Sequence, residues 1–414
     1  MISSRESEGL LSGRALAVWG VAGVLLLALG ARNGVAALSP IAFDVTLDRP
    51  LDGFALGLLG TVPPFAYGVS GILARLLLPR VRVEMLALAV AFLSAVGHLW
   101  RGASPTFSSL FAATVLLMMA VGVVNVVLPP LVKLYAPRRV DVVTSTYTMV
   151  MSVSSTLPPA LGVWMAGVWG WRLSLASWAV ISVASLIPWL VLLPSSRRRF
   201  ANEQHVMSQT EKPAQRLALR RSPTAWALVL LFTVSAVTAY SIFAVLPAVL
   251  VERAGLTPEL AGILLAVWSS IGIPAALVTP LLVARAGWAA RLSLIAAILG
   301  SGGFVGLIFF PTTVTVVWAV ATASSTLTFS MVLALIGLRT ESHQAAGELS
   351  SLVNGVGYLL AAAGPLVVGA IHQATGSWTL SLALLATVSA GNVVGWFILR
   401  SEHTVEEEVR QSAH

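Results

Sequence analysis

Arg32 stands in an apolar run, Ala15 to Phe43, that holds no other formal charge. A guanidinium at bilayer depth costs at least about 2.5–3.5 kcal/mol on insertion scales. A chain keeps such a group where it faces a wet cavity and meets something electron-rich. Its planar fork offers two parallel hydrogen bonds to a carboxylate-like or nitro-like group. The other reading is structural, a guanidinium that ties down backbone carbonyls of a neighbouring helix. Six more side chains in apolar runs are candidates for the same binding site: Asn125, Tyr147, Tyr240, Trp268, Asn354 and Tyr358. Buried amides need partners, and Asn125 and Asn354 find them either in a ligand or across a helix–helix contact. Tyr358 follows Asn354 by one turn, on the same face. A tyrosine at this depth either offers its hydroxyl to a ligand or packs with that hydroxyl satisfied. Trp268 is mid-run, whereas Trp100, Trp171 and Trp378 sit at run boundaries and read as interfacial anchors. If the first run is a continuous helix, Ala36 and Ser39 share the face of Arg32 and leave room beside it. Asn33 then points roughly 100° away, toward another helix.

No catalytic constellation accompanies these residues. The chain lacks cysteine, which excludes thiol catalysis and cysteine-based metal sites. It shows no phosphate-binding loop, no nucleophile–base pairing and no histidine–carboxylate cluster, so neither an enzyme nor a bound cofactor or metal is expected. Asp44, Glu84 and Asp141 fall at run ends, and no acid lies deep, so a buried carboxylate able to carry a coupling proton is not visible. His98, near the end of its run, reads as solvated.

The elements that position these residues follow from composition. Of 414 residues, 57% are hydrophobic and 10% charged, against about 25% charged in soluble domains. Runs of roughly 20 apolar residues cross the ~30 Å hydrocarbon layer as helices, and their continuity rather than alternation excludes a barrel. Twelve spans are expected, near residues 15–43, 54–78, 83–100, 107–134, 141–166, 172–194, 223–250, 259–283, 291–310, 313–337, 347–371 and 378–399. The first is too long for a signal-peptide core and stays attached. A basic segment, 195–222, divides them into six-helix bundles at 1–194 and 223–400. Residues 401–414 form an acidic tail with Glu406, Glu407 and Glu408.

Orientation follows from lysine and arginine. With the N-terminus cytoplasmic, only Arg49, Arg101, Arg172 and Arg253 of the 25 basic residues fall outside, Arg32 being set apart. Both termini are then cytoplasmic. The net charge of +8 is accordingly a topology signal, and a nucleic-acid partner is not expected. The halves also look duplicated. Gly170-Trp171-Arg172-Leu173-Ser174-Leu175-Ala176 opens the sixth span, and Ser377-Trp378-Thr379-Leu380-Ser381-Leu382-Ala383 opens the twelfth. Leu157-Pro158-Pro159-Ala160-Leu161-Gly162 has its counterpart in Ala363 to Gly369. Prolines are dense in the spans (Pro63-Pro64, Pro129-Pro130, Pro158-Pro159, Pro247, Pro274, Pro280, Pro365), and each bends its helix.

This layout resembles the major facilitator superfamily. Gly122 to Lys133 with Pro137-Arg138-Arg139, Gly170 to Trp178, Leu338-Arg339-Thr340, Leu349 to Leu360, and Arg32 to Pro40 are similar to the cyanate/nitroimidazole permease family within it. The resemblance implies an all-α membrane fold in which spans 1, 4, 7 and 10 line a central cavity. It implies a monomeric permease in a bacterial inner membrane that moves a small anionic or polar solute by alternating access. Gly30, Ala36-Ala37, Val245 and Asn354 depart from that family's pattern at pocket-type positions, which separates the question of substrate from that of fold. The competing expectation is a proton-driven drug or metabolite exporter, and a receptor without transport is disfavoured because the short polar segments offer no output domain.

Overall fold

The computed structural model describes residues 13–48, 51–78, 80–207 and 219–411. Arg49, Lys212 and Arg216 lie outside them. Among the described residues the regular structure is helical. Eleven helical segments among them are long and apolar enough to cross a bilayer. The longest, Val142–Pro194, has 53 residues, about 80 Å of helix and enough for two crossings. It folds back at Gly170, whose φ of 79° and ψ of 155° lie where a side chain would be strained. Twelve crossings result. Val180, Leu281 and Phe309 are among the large apolar side chains left exposed on the outside, the surface that lipid covers.

Helix starts follow local chemistry. Asp52, Thr106, Ser222, Thr257 and Ser342 each accept a hydrogen bond from a backbone N–H in the turn that they cap, satisfying a group that the helix cannot. Span 7, Pro223–Ala254, and the second part of span 11, Ala363–Thr375, end at left-handed glycines, Gly255 and Gly376.

The first span corrects the expectation of a continuous helix. It runs Gly13–Gly30, turns through Ala31 and Arg32, resumes as Asn33–Ala36, tightens at Ser39–Ile41 and ends as Ala42–Asp48. Gly30, Gly34 and Pro40 weaken the helix in succession. The break frees backbone groups, and side chains of three other spans take them. The Arg32 N–H donates to Ser154 Oγ at 3.0 Å. Tyr67 Oη donates to the Ala31 carbonyl at 3.4 Å, and Arg101 Nη1 to the Gly34 carbonyl at 2.8 Å. Irregular backbone persists at membrane depth only when such partners surround it. Ala36 and Ser39 therefore do not share one helical face with Arg32.

The end of span 3, Val83–Ala103, overturns the expectation of a solvated His98. His98 is fully buried and Arg101 is 1% exposed; neither sits in a solvated loop. The reason is glycine packing. A Cβ at Gly97 would stand 2.8 Å from Leu117, and one at Gly102 would stand 2.5 Å from the Arg172 carbonyl. Trp171 and Trp378 are likewise buried rather than interfacial, each with its indole N–H on a carboxylate, Asp48 and Glu252 respectively.

The halves meet along spans 2 and 11, and the contact narrows toward one end. Gly53, Gly57, Gly60, Gly68 and Gly71 recur at spacings of four, three, eight and three residues on span 2, Gly53–Leu77, and so share a face. A Cβ at Gly57 would lie 2.5 Å from the Pro365 carbonyl, and one at Gly60 2.5 Å from Ala244. At Gly68 the nearest atom, on Leu359, is 3.1 Å away, and at Gly71 nothing lies within 4 Å. Spans 5 and 8 repeat the pattern. A Cβ at Gly262 would be 2.9 Å from the Pro159 carbonyl, and one at Gly272 would be 3.9 Å from Ser152. The bundles thus form a V. It is shut at the end that carries Asp52 and Gly376, and it widens toward the end where the span 6–7 connection begins.

Candidate substrate site

Arg32 sits where the V begins to open. Its Nη1 donates to Tyr240 Oη at 3.2 Å, and its guanidinium carbon lies 5.6 Å from the centre of the Tyr67 ring, within cation–π range. Tyr67, Tyr240 and Tyr358 form a closed triangle of edge-on rings, with centroids 6.1, 5.6 and 6.2 Å apart. They come from spans 2, 7 and 11, so the triangle bridges both halves around a charge supplied by span 1. Phe232 extends it, 4.8 Å from Tyr358. The rings are buried, while Arg32 keeps part of its surface free. Among the described residues no carboxylate pairs with this guanidinium. The cation is positioned by one hydroxyl and one ring face, and donors remain for an anion.

The structural alternative, a guanidinium on backbone carbonyls, describes Arg101 on Gly34 and not the Arg32 side chain. Of the sequence candidates, Arg32, Tyr240 and Tyr358 come together. Tyr67 belongs with them and escaped sequence reasoning. Its signal was scarcity, because the chain has five tyrosines and all lie in spans. Ser154, which holds the broken backbone, carried no sequence signal.

Among the described residues the other candidates share no hydrogen bond or ring contact with the triangle. The Asn354 amide donates to its own helix, to the Ser350 carbonyl at 2.8 Å and the Ser350 hydroxyl at 3.2 Å. Trp268 is 2% exposed; its indole N–H reaches Thr322 Oγ1 at 3.1 Å, and its ring packs on Phe243 at 5.2 Å. That is a contact between spans 8 and 10 within one half. Tyr147 is partly buried against the apolar core, and Asn125 is partly buried on span 4. Asn33 is fully buried with both amide atoms unpartnered. Among the described residues no group of three or more acids and histidines could hold a metal ion.

Comparison with known proteins agrees with this architecture. Residues 20–365 match the Major Facilitator Superfamily, and the chain belongs to that family of multi-pass membrane transporters. It is 29% identical over 371 residues to the 2-nitroimidazole transporter of Escherichia coli (strain K12), covering 89% of this chain and 92% of that protein. It is 25% identical over 304 residues to the cyanate transport protein CynX of the same organism, covering 73% and 76% of the two chains. Among solved structures, a POT family transporter in complex with 5-aminolevulinic acid superposes with a TM-score of 0.73 at 13% identity, covering 93% of this chain and 95% of that one. A D-xylose–proton symporter gives 0.66 at 15%, covering 94% and 98%. These two likenesses speak to the fold alone.

Proposed function

We propose that this chain moves a small anionic or polar organic solute across a bacterial inner membrane by alternating access, with Arg32 as the charge that binds it. The carrying observation is an arginine that keeps part of its surface free, with no carboxylate partner among the described residues, where the two bundles begin to part. The relatives named for nitroimidazole and cyanate transport bear names of small solutes that present electronegative oxygen or nitrogen atoms, which suits a cationic fork set against one ring face and one hydroxyl. The distribution of basic residues in the sequence supports a cytoplasmic position for both termini and for the opening of the V. The state is then open to the cytoplasm, and the stacked glycines of spans 2 and 11 form the outer seal. Solute enters from the opening, displaces water from Arg32 and meets Tyr240 and Tyr67. Rocking of the bundles about the glycine contacts carries the site to the other side.

The test is uptake of cyanate, nitrate and 2-nitroimidazole into liposomes that contain the purified chain, with Arg32→Ala and Arg32→Lys beside it. Loss of flux in both variants, with normal folding, is expected. Wild-type flux in both would end the assignment of Arg32. Flux that creates a linked proton current would instead favour the proton-driven exporter.

A further inference from the structure

A second guanidinium, Arg101 on span 3, lies behind the broken helix, and the proposed transport leaves it without a task. It is 1% exposed, and among the described residues it has no carboxylate partner. One of its donors, Nη1, holds the Gly34 carbonyl, while Nε has no partner. Uncompensated buried charge is costly. Arg101 also lines a narrow cavity, together with Gly34, Ser39, Thr114, Met118 and Tyr240. Ser39 is 7% exposed, and its hydroxyl too has no partner. The cavity measures about 30 Å³, room for about two water molecules or for a small planar anion in their place. Two residues that each carry an orphaned donor, one of them cationic, thus line one space.

We infer that Arg101 and Ser39 form a second anion site, on the sealed side of the helix break, for the same class of solute that Arg32 binds. The inference rests on the reading of Arg32 as the primary site. Tyr240 joins the two: its hydroxyl accepts from Arg32, and its side chain lines the Arg101 cavity. A solute arriving from the sealed side would meet Arg101 when that side opens, then pass Tyr240 to reach Arg32. Because Arg101 Nη1 grips Gly34, two residues from Arg32, an anion drawn to Arg101 bears on the same stretch of backbone that orients Arg32. The path therefore has two cationic stations rather than one.

Nitrate is the probe, titrated by calorimetry into the full chain in lipid nanodiscs. Two binding events are expected in the wild type. Arg32→Gln should keep one of them. Within that variant, Ser39→Ala or Arg101→Lys should weaken the remaining event about tenfold, the loss of one charge-assisted hydrogen bond. Both changes are conservative, and the elution profile and helical circular dichroism confirm the fold. If Arg32→Gln abolishes all nitrate binding, or if Ser39→Ala and Arg101→Lys leave the residual event unchanged, the second site is refuted while Arg32 stands. If Arg32→Gln keeps both events, the reading of Arg32 fails instead. A wild-type chain that does not bind nitrate refutes both.

Discussion

The two halves use one clasp twice and differ in the helix that leads into it. In the first half the Trp171 indole N–H donates to Asp48 at 2.8 Å, and the Ser174 hydroxyl to the Gly162 carbonyl at 3.1 Å. In the second half Trp378 donates to Glu252 at 2.7 Å, and Ser381 to the Val368 carbonyl at 2.8 Å. The carboxylates end spans 1 and 7, and the tryptophans open spans 6 and 12. Counting back equally from Asp48 and Glu252, the position matching Arg32 is Ala236, in a helix that runs unbroken from Pro223 to Ala254. The clasp recurs in both halves, and the asymmetry between them lies in the helix that carries Arg32. The break and the charge lie together in one copy; the other supplies the tyrosine that receives that charge.

The sharpest way to break this comparison is to place the charge in the wrong half. Ala236 is 2% exposed and has no helix break to bring water or freed backbone to it. Ala236→Arg should cost at least about 2.5–3.5 kcal/mol, read as collapse of folded yield and of the denaturation midpoint in detergent. A variant that folds and melts like the wild type would show that the unbroken helix tolerates charge as well as the broken one.

Next in size is the loss of the native charge. A hydrogen bond to a charged group contributes about 1.5–3 kcal/mol, so Arg32→Ala should lower solute uptake about 10–100-fold. Tyr240→Phe removes only the hydroxyl that receives Nη1 and leaves the ring, so its defect should be milder than that of Arg32→Ala. Equal defects in the two variants would mean that positioning, rather than the charge itself, is what the solute senses.

The clasps themselves can be sharpened by their arginines. Arg253 holds the Leu307 carbonyl at 3.3 Å, the Ile308 carbonyl at 2.7 Å and Thr379 Oγ1 at 2.9 Å, tying spans 7, 9 and 12. Arg172 makes a 2.5 Å contact with Asp48, and both side chains are nearly half exposed. Exposed pairs contribute about 0.2–1 kcal/mol. Arg253→Ala should therefore lower the melting temperature in nanodiscs clearly more than Arg172→Ala. Equal shifts would show that the carbonyl contacts add nothing beyond the shared clasp.

The sequence carried the repeat of this clasp but not its chemistry. Gly170 to Ala176 and Ser377 to Ala383 were legible as related strings, and the charge at Arg32 as the one misfit in an apolar bundle. The indole–carboxylate bonds were not legible, because a tryptophan at a span boundary looks the same whether it faces lipid headgroups or a carboxylate from another helix. The break in span 1 was hidden for a similar reason. Gly30, Gly34 and Pro40 are each tolerated in membrane helices, and only Ser154, Tyr67 and Arg101, arriving from distant spans, make the broken form satisfied. The place of Tyr67 beside Arg32, and the burial of Arg101 through Gly97 and Gly102, were not legible because tertiary approach decides their surroundings.

The acidic tail adds the smallest difference between the halves, for it braces only the second. Its helix, Val405–Gln411, sets Glu406 Oε1 on the backbone N–H groups of Glu341 and Ser342 at 2.9 and 3.2 Å. Glu408 accepts from the Thr224 N–H at 3.1 Å and its hydroxyl at 2.6 Å, at the start of span 7. Arg410 pairs with Glu341 at 2.6 Å. Hydrogen bonds from Arg410 and Thr404 hold the Glu341 carboxyl below its ordinary value. A carboxylate with a lowered native pKa contributes stability above its unfolded pKa and loses it as pH falls through the native one. The brace should therefore hold at neutral pH and loosen only in acid, below the usual glutamate range. Hydrogen exchange of residues 405–411 reports it directly. Protection should drop in acid in the wild type, and Glu341→Gln should bring part of that loss to neutral pH. Both halves bear exposed ion pairs, but among the described residues only here is one tied to a helix beyond the last span. If acid leaves protection at 405–411 unchanged, the tail is held by Val405 packing and backbone contacts rather than by its charges.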